Sequence, residues 1–355
     1  MSRKTSPNIP PLKVLQLIIA ILLFPLSIWY SVGVAVRNIF YSLNICKSTP
    51  TDITTIGVGN LRMGGTGKTP HTEYLIRLFN DMPTALLSRG YGRKTSGFHL
   101  ATGNDDSYSL GDEPAMMARK FPSLTVAVCK DRLEGVANLA KMENKPSLIL
   151  LDDVFQHRKI KPSATILLTE YDDPFFNDHI LPFGNLREFR NGHKRADIVV
   201  VTKCPTTLSD AKRNEYRQRL KLSPAQKLFF SYIDYSSPLP LFHDSPWQPV
   251  KEVLLLTGIA HPSPLKHHLE KLCTVTHIAY PDHHNFSDND CLHIINTFNA
   301  IKDSSKAVIT TEKDTMRLLR PDIRQLLNDL PIFYIPIKVS FFDNDIFDDT
   351  IKKIV

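Results

Sequence analysis

The sequence predicts an α/β protein with a parallel-sheet core, a second and smaller α/β domain, and an N-terminal membrane helix. Three observations support this prediction. Short apolar runs alternate with helical stretches from residue 51 onward, a polar segment with several prolines interrupts them at residues 236–250, and an uncharged apolar stretch precedes them. Apolar strands separated by helices are typical of a parallel sheet that is covered on both faces.

The strand-like runs form two groups. The first comprises ITTIGV (53–58), PTALLS (83–88), LTVAVC (124–129), SLILL (147–151), ATILLT (164–169) and ADIVVVT (196–202). The second comprises EVLLLT (252–257), CTVTHIA (273–279), KAVITT (306–311) and IFYIPI (332–337). We therefore expect an N-terminal region over residues 1–50, a first domain over 51–235, a linker over 236–250 and a smaller domain over 251–355.

The N-terminal stretch from residue 14 to residue 36 contains no charged side chain. A spanning helix needs about 20 apolar residues, and a membrane helix tolerates a proline such as Pro25. Trp29, Tyr30 and Tyr41 suit the membrane interface. The stretch is too long for a signal peptide, whereas a buried core helix stays possible. We expect a helix that spans or embeds in the membrane, with membrane lipid as a partner.

Composition and charge narrow the possible partners. The chain is 42% apolar with a formal net charge of +7. This composition indicates a folded protein, and the charge fits an anionic partner, although a solvated basic surface without a partner is an alternative. We find no nucleic-acid-binding signature and expect neither a nucleic acid nor an obligate protein partner. The five scattered cysteines form no disulfide or zinc pattern and indicate a reduced compartment.

A glycine-rich loop after the first strand carries the strongest motif. The expected phosphate-binding residues are Arg62, Met63, Gly64, Gly65, Thr66, Gly67, Lys68 and Thr69. Glycines let backbone N–H groups point at phosphate oxygens, and the following helix adds its positive end. In such a P-loop NTPase-like core, Lys68 would reach the β- and γ-phosphates of ATP and Thr69 would hold Mg²⁺. Arg62 stands where the usual pattern has glycine, and a plain glycine-rich turn is the alternative.

A pair of aspartates follows the apolar run SLILL. Asp152 and Asp153 would lie at the carboxyl edge of the sheet beside the phosphate loop, where a carboxylate holds Mg²⁺ directly or through water. One of the two could hold the metal while the other orients a neighbour. An N-cap or a turn pair is the alternative.

Nine segments occur in an order that resembles a known family. They are GNLRMGGTGKTP (59–70), SRGYGRK (88–94), GDEPAMMA (111–118), LDDVFQHR (151–158), LPFGNLRE (181–188), VTK (201–203), LTGIAHP (256–262), PDHHNF (281–286) and TTEKD (310–314). Together they resemble the tetraacyldisaccharide 4'-kinase family of lipid A biosynthesis. The resemblance implies ATP-dependent phosphorylation of the 4'-hydroxyl of an acylated glucosamine disaccharide 1-phosphate. It also implies two domains that close on ATP at the cytoplasmic face of a bacterial inner membrane.

The resemblance also implies catalytic residues. Asp112 matches the family's catalytic aspartate and His283 the histidine that pairs with it, and we expect Lys68 and Asp153 to complete the catalytic set. A sugar hydroxyl needs a group that accepts its proton during phosphoryl transfer, and a carboxylate assisted by an imidazole suits that task. The alternatives are a helix N-cap for Asp112 and a surface or metal-binding histidine for His283.

The remaining predicted site residues follow the same motifs. We expect Gln156 and His157 to contact the nucleotide, Glu188 to assist the metal, and Arg187 to neutralise charge on the transferred phosphoryl group. Arg89 and Arg93 could bind the 1-phosphate of the lipid, because guanidinium groups bind phosphate in bidentate fashion. Each of these residues could instead form a surface ion pair.

Two other functions are compatible with a P-loop. One is a kinase of a small soluble metabolite, which would have no use for an apolar N-terminal segment. The other is a membrane-recruited nucleotide switch, but such switches usually carry an N-K-x-D motif, whereas this chain has VTKC at residues 201–204.

Overall fold

Strands and helices alternate along most of the chain, as the sequence pattern predicts. The computed structural model describes residues 11–102, 105–282 and 284–355. The strands are β1 (Thr49–Pro50), β2 (Thr54–Asn60), β3 (Thr84–Ser88), β4 (His99–Leu100), β5 (Thr125–Val128), β6 (Leu148–Asp152), β7 (Ile160–Lys161), β8 (Ala164–Glu170), β9 (Ile198–Thr202), β10 (Lys227–Tyr235), β11 (Leu239–Pro240), β12 (Glu252–Thr257), β13 (Thr274–Ala279), β14 (Lys306–Thr311), β15 (Ile332–Ile335) and β16 (Ile337–Phe341). The helices are α1 (Pro11–Ser42), α2 (Lys68–Leu78), α3 (Ser107–Leu110), α4 (Asp112–Lys120), α5 (Arg132–Ala140), α6 (Asp210–Leu220), α7 (Ser263–Glu270), α8 (Asp288–Ala300), α9 (Glu312–Leu318), α10 (Pro321–Leu327) and α11 (Asn344–Lys352).

The larger sheet has nine strands within the described residues, in the order β16-β10-β9-β8-β2-β6-β3-β5-β4. Its interior strands are parallel, and the two edge strands, β16 and β4, are antiparallel to their neighbours. The predicted α/β fold with a parallel sheet is therefore confirmed. Parallel strands place their carboxyl ends at one edge, which is where such sheets bind ligands.

Apolar side chains cover both faces of this sheet. On one face, residues of α2, α4 and α11 pack against alternate side chains of the strands. On the other face, α5 and α6 cover the sheet with Val136, Leu139, Tyr216 and Leu220. The strands read as continuous apolar runs because both of their faces are buried.

The smaller sheet has the order β11-β15-β14-β12-β13 among the described residues and has its own apolar core. The structure differs from the expected boundary at the C-terminal end. Pro336 divides the predicted strand 332–337, so that β15 belongs to the smaller sheet and β16 pairs with β10 at the edge of the larger one. Residues 337–355 thus return to the first domain, and residues 236–336 form an insertion in it.

Helix α1 extends from Pro11 to Ser42 and includes Pro25. Across the part of the chain that the structure describes, no helix has both the length and the apolar character needed to cross a membrane. The predicted membrane stretch starts at residue 14, and the side chains of residues 11–23 lie outside what the structure describes. From residue 24 onward the helix exposes large apolar side chains, among them Phe24, Trp29 and Ile39.

Candidate active site

The phosphate loop lies between β2 and α2, and its shape depends on side chains from two strands. Asn60, the last residue of β2, donates from Nδ2 to Oγ1 of Thr66 at 2.7 Å. Thr202, at the end of β9, donates to the carbonyl of Thr66 at 2.9 Å. Gly67 caps α2 with φ of 89°, a left-handed conformation that favours glycine. The sequence analysis did not assign roles to Asn60 and Thr202, although both stand at strand ends.

His71, on α2, also contacts the phosphate loop. Its Nδ1 lies 2.7 Å from the Gly67 carbonyl, which only accepts, and its Nε2 lies 2.9 Å from Oγ of Ser231 on β10. A neutral ring that donates from Nδ1 and accepts at Nε2 satisfies both contacts. Burial lowers the pKa of His71 from 6.5 to about 4, so the ring is neutral at physiological pH.

Arg62 and Met63 belong to the wall of the loop and do not face its interior. The Arg62 guanidinium forms ion pairs with Asp173 and with Asp178, the latter at 2.8 Å. The backbone N–H of Met63 donates to the carbonyl of Asn185 at 2.8 Å. The side chain of Arg62 and the N–H of Met63 thus join the loop to the segment 173–185, away from the phosphate-binding turn 64–67.

Asp152 ends β6 and carries a carboxylate oxygen that can accept a further ligand. Ser88 donates to Oδ2 at 3.2 Å, whereas Oδ1 is buried and has no hydrogen-bond partner among the described residues. Asp152 lines a small internal space together with Thr69, Ser88 and Glu113. Burial, followed by repulsion from Glu113 and Asp153, raises the pKa of Asp152 to about 7. A buried carboxylate with an unused oxygen beside a threonine hydroxyl fits Mg²⁺, which prefers oxygen ligands.

Asp153 points toward two cations. Its φ of 46° is left-handed, and its carboxylate lies 3.7 Å from Nζ of Lys68 and accepts two 2.9 Å bonds from Nη1 of Arg187. Burial opposes ionisation of Asp153, but Lys68 and Arg187 outweigh it and lower the pKa of Asp153 below its usual value. Lys68, Asp153 and Arg187 belong to separate sequence motifs and form one cluster in the structure.

Gln156 and Glu188 lie behind this cluster. Gln156 accepts from Arg187 at 3.1 Å and donates to the carbonyl of Asn60 at 2.7 Å. Glu188 is fully buried and pairs with Arg195 at 2.9 Å, with Gln156 donating to it at 3.2 Å. In this geometry the negative charge of the Glu188 carboxylate is paired with the positive charge of Arg195.

Asp112 is the first residue of α4, held against the segment 88–94. A Cβ at Gly111 would lie 2.6 Å from the Tyr91 carbonyl, so this close approach requires glycine. The Asp112 carboxylate accepts from Nε of Arg317, on α9 of the inserted domain, at 3.2 Å. Its predicted partner His283 lies outside the described residues. The sequence analysis missed Glu113, which shares the internal space of Asp152, and Arg317, which no local motif marks.

Three other predicted residues lie farther from the phosphate loop. Arg89 is exposed near the carboxyl end of β3. The guanidinium of Arg93 donates to the carbonyls of Gly97 at 2.6 Å and Val128 at 3.4 Å and thus holds its own loop. His157 lies against the first turn of α5, where it accepts from the backbone N–H of Arg132 at 3.4 Å.

An apolar groove adjoins the site at the N-terminal helix. It has a volume of about 410 Å³ and lies between α1 and residues 179–189, with Phe24, Ile28, Val32, Phe183 and Phe189 among its walls. Tyr30 on α1 donates to the backbone carbonyl of Arg187 at 2.9 Å, so α1 contacts the chain at a residue of the cluster formed by Lys68, Asp153 and Arg187.

Comparisons with known proteins decide between the possible functions. The family model described as tetraacyldisaccharide-1-P 4'-kinase, LpxK, matches residues 19–355. The chain belongs to this family. This kinase is 46% identical over 329 residues to a tetraacyldisaccharide 4'-kinase of Flavobacterium johnsoniae, a match that covers 91% of the chain and 93% of that protein. It is 42% identical over 340 residues to a protein of the same name from Parabacteroides distasonis, with 90% of each chain covered.

A solved structure resembles the kinase over almost its whole length. It is a crystal structure of the "apo" form of LpxK from Aquifex aeolicus in complex with ATP, with a TM-score of 0.73 and 27% identity. The match covers 95% of this chain and 99% of that one. The predicted family and lipid A 4'-kinase activity are thereby confirmed, which leaves no support for a soluble-metabolite kinase or a nucleotide switch.

Proposed function

We propose that the kinase transfers the γ-phosphoryl group of ATP to the 4'-hydroxyl of a tetraacyldisaccharide 1-phosphate, with Asp112 accepting the hydroxyl proton. The observation that carries this proposal is the meeting of three elements at one edge of the sheet. The phosphate loop, the pair Asp152–Asp153 and the start of α4 lie together there, since Glu113, next to Asp112, shares an internal space with Thr69 and Asp152.

The nucleotide phosphates would bind at the positive end of α2. The glycine-rich turn presents backbone N–H groups there, and Lys68 is held nearby by Asp153. Asp152 Oδ1 and the Thr69 hydroxyl would hold Mg²⁺, which when bound neutralises charge on the phosphates. Arg187 would neutralise charge on the transferred group, and its ion pair with Asp153 fixes its direction.

The proton of the sugar hydroxyl would pass to the carboxylate of Asp112. The Arg317 guanidinium lies 3.2 Å from this carboxylate and helps to fix its direction. The pairing of Asp112 with His283 remains a prediction. Because Asp112 and Arg317 come from different domains, this arrangement exists only when the domains meet.

The lipid substrate would use the apolar groove. Acyl chains would bury apolar surface against Phe24, Ile28 and Phe183. The Tyr30 hydrogen bond joins the helix that lines the groove to the backbone of Arg187. The exposed apolar side chains of α1 would rest in the cytoplasmic leaflet of the inner membrane. Arg89, exposed at the same end of the sheet, is the stronger candidate for the lipid 1-phosphate, because Arg93 is engaged by its own loop.

The test is phosphate transfer from ATP to purified tetraacyldisaccharide 1-phosphate in detergent, compared with the same lipid already phosphorylated at the 4' position. Only the first should accept phosphate, and Asp112→Asn should abolish most of the transfer. Val32→Asp in the groove should raise KM for the lipid and leave KM for ATP unchanged. The matched control is Leu272→Asp, which replaces an exposed apolar residue of the other domain. Transfer to both lipids would refute the 4' assignment, and equal lipid KM values for the two aspartate variants would refute the groove.

A further inference from the structure

We propose that Arg317 is a positioning residue for phosphoryl transfer, supplied by the inserted domain to orient the carboxylate of Asp112 when the two domains meet. The inference rests on the proposed role of Asp112. Arg317 lies on α9 and donates from Nε to Oδ2 of Asp112 at 3.2 Å, across the boundary between the domains. The contact joins residues 205 positions apart in sequence.

The guanidinium of Arg317 is buried to an extent that a surface ion pair does not require. The side chain is 2% exposed, and Nη1 donates to the carbonyl of His284 at 3.1 Å. Within the described part of the chain, Nη2 is buried and has no hydrogen-bond partner. A buried charge with an unused donor costs free energy, and such a group in a native structure calls for an explanation other than stability.

Asp314 forms an ion pair with Arg317 and helps to fix its position. Its Oδ1 lies 3.4 Å from Nη1 of Arg317, while Oδ2 accepts from the N–H of Gly258 at 3.0 Å and from Thr311 at 2.6 Å. A Cβ at Gly258 would lie 3.0 Å from the Asp314 carboxylate and 3.3 Å from the guanidinium, so a larger residue would disturb both groups.

This network gives a role to two motifs that the proposed chemistry otherwise leaves without one, LTGIAHP and TTEKD, and adds a backbone contact from PDHHNF. Gly258 belongs to LTGIAHP, His284 to PDHHNF, and Thr311 and Asp314 to TTEKD. The three segments lie at separate places in the sequence. His284 and Asp314 contact Arg317 directly, and Gly258 and Thr311 hold Asp314. The carbonyl of His284 also ties Arg317 to the loop that carries position 283.

The same pair of helices offers a matched control. Glu312 on α9 forms an ion pair with Lys120 on α4 at 2.6 Å, and Lys120 also pairs with Glu73 at 2.7 Å. Replacing Glu312 by glutamine therefore removes a domain-bridging ion pair at the other end of α4, keeps Lys120 paired, and leaves Asp112 and Arg317 in place.

The experiment measures kcat, KM for ATP and KM for the lipid in Arg317→Lys, Arg317→Met and Glu312→Gln. Misplacement of a reacting group by about 1 Å costs on the order of 100-fold, so Arg317→Met should lower kcat by about that factor and leave KM for ATP nearly unchanged. Arg317→Lys keeps the charge but loses the planar fork, and we expect a loss on the order of 10-fold. Glu312→Gln should keep kcat close to the unmodified value.

A second measurement separates positioning from a merely structural role. Each Arg317 variant is combined with Asp112→Asn, and residues that act through one another show non-additive losses. The double variants should be no slower than Asp112→Asn alone. If Arg317→Met does not fold, as judged by loss of ATP binding, the kcat of Arg317→Lys provides the test.

Three results would overturn the inference: full kcat in Arg317→Lys, losses that multiply with that of Asp112→Asn, or an equal loss in Glu312→Gln. Failure of the proposed function gives a different pattern. In that case the unmodified enzyme does not phosphorylate the lipid, or Asp112→Asn retains activity.

Discussion

Replacement of Phe347 tests whether the last residues of the chain belong to the nucleotide-binding domain. Phe347 on α11 is 2% exposed and stacks on Phe341 of β16 with ring centroids 3.8 Å apart. Its ring also meets Phe229 at 5.1 Å and Tyr74, on the helix that follows the phosphate loop, at 5.7 Å. Phe347→Ala would therefore leave a cavity between α11, the sheet and α2.

The magnitude follows from the size of the buried ring. Truncation of a buried phenylalanine to alanine costs about 3–5 kcal/mol, the loss of transfer free energy together with the cavity that remains. The adjacent Ile346 is 63% exposed, and Ile346→Ala should change stability by no more than about 0.5 kcal/mol. The two residues are adjacent in sequence, but Phe347 is 2% exposed and Ile346 is 63% exposed.

The assay is thermal unfolding with and without a non-hydrolysable ATP analogue and Mg²⁺. A ligand that binds only the folded state stabilises the domain that holds it. Phe347→Ala should lower the midpoint of the transition that the nucleotide raises, and Ile346→Ala should not. The reasoning is refuted if Phe347→Ala lowers only a transition that the nucleotide leaves unchanged, because α11 would then belong to the inserted domain.

Three further predictions concern the site and the membrane. Lys68→Ala and Thr69→Ala should each lower turnover on the order of 100-fold while circular dichroism shows the fold intact, and near-normal activity in both would place the nucleotide elsewhere. A chain that begins at Ser48 should be more soluble and should sediment less with anionic vesicles than the full chain, whereas equal sedimentation would assign the attachment to another surface. Asp112→Asn and His283→Ala should each depress kcat with ATP affinity nearly intact, and the double variant should be little worse than the poorer single one, while a product of the two losses would show independent roles.

The sequence was sufficient for those parts of the fold and site that are local along the chain. Apolar runs that end in Asn60 or in Asp152 mark strands and their carboxyl ends, and a parallel sheet brings such ends together. The glycines of the phosphate loop mark the turn because few other residues adopt its conformation. These features can be predicted without knowing which distant residues are in contact with each other.

Other features depend on contacts between distant residues and could not be predicted in this way. Arg62 occupies a position in the phosphate-loop motif, but its direction is set by Asp173 and Asp178 more than 100 residues later. The run IFYIPI has the pattern of one strand, whereas Pro336, which has no N–H to donate, separates two strands in different sheets. No local sequence pattern indicates the role of Arg317, because that role depends on its contact with Asp112 in another domain.

The return of the chain through Pro336 determines how the inserted domain can move. Two connections join the domains, and they run side by side, with the N–H of Ser236 donating to the carbonyl of Pro336 at 3.0 Å. A single connecting strand would allow rotation about its own axis, but a hydrogen-bonded pair restrains that torsion and leaves bending across both strands as the soft motion. Bending across this pair would bring α9 toward α4 along nearly one path and would present Arg317 to Asp112 in nearly one orientation.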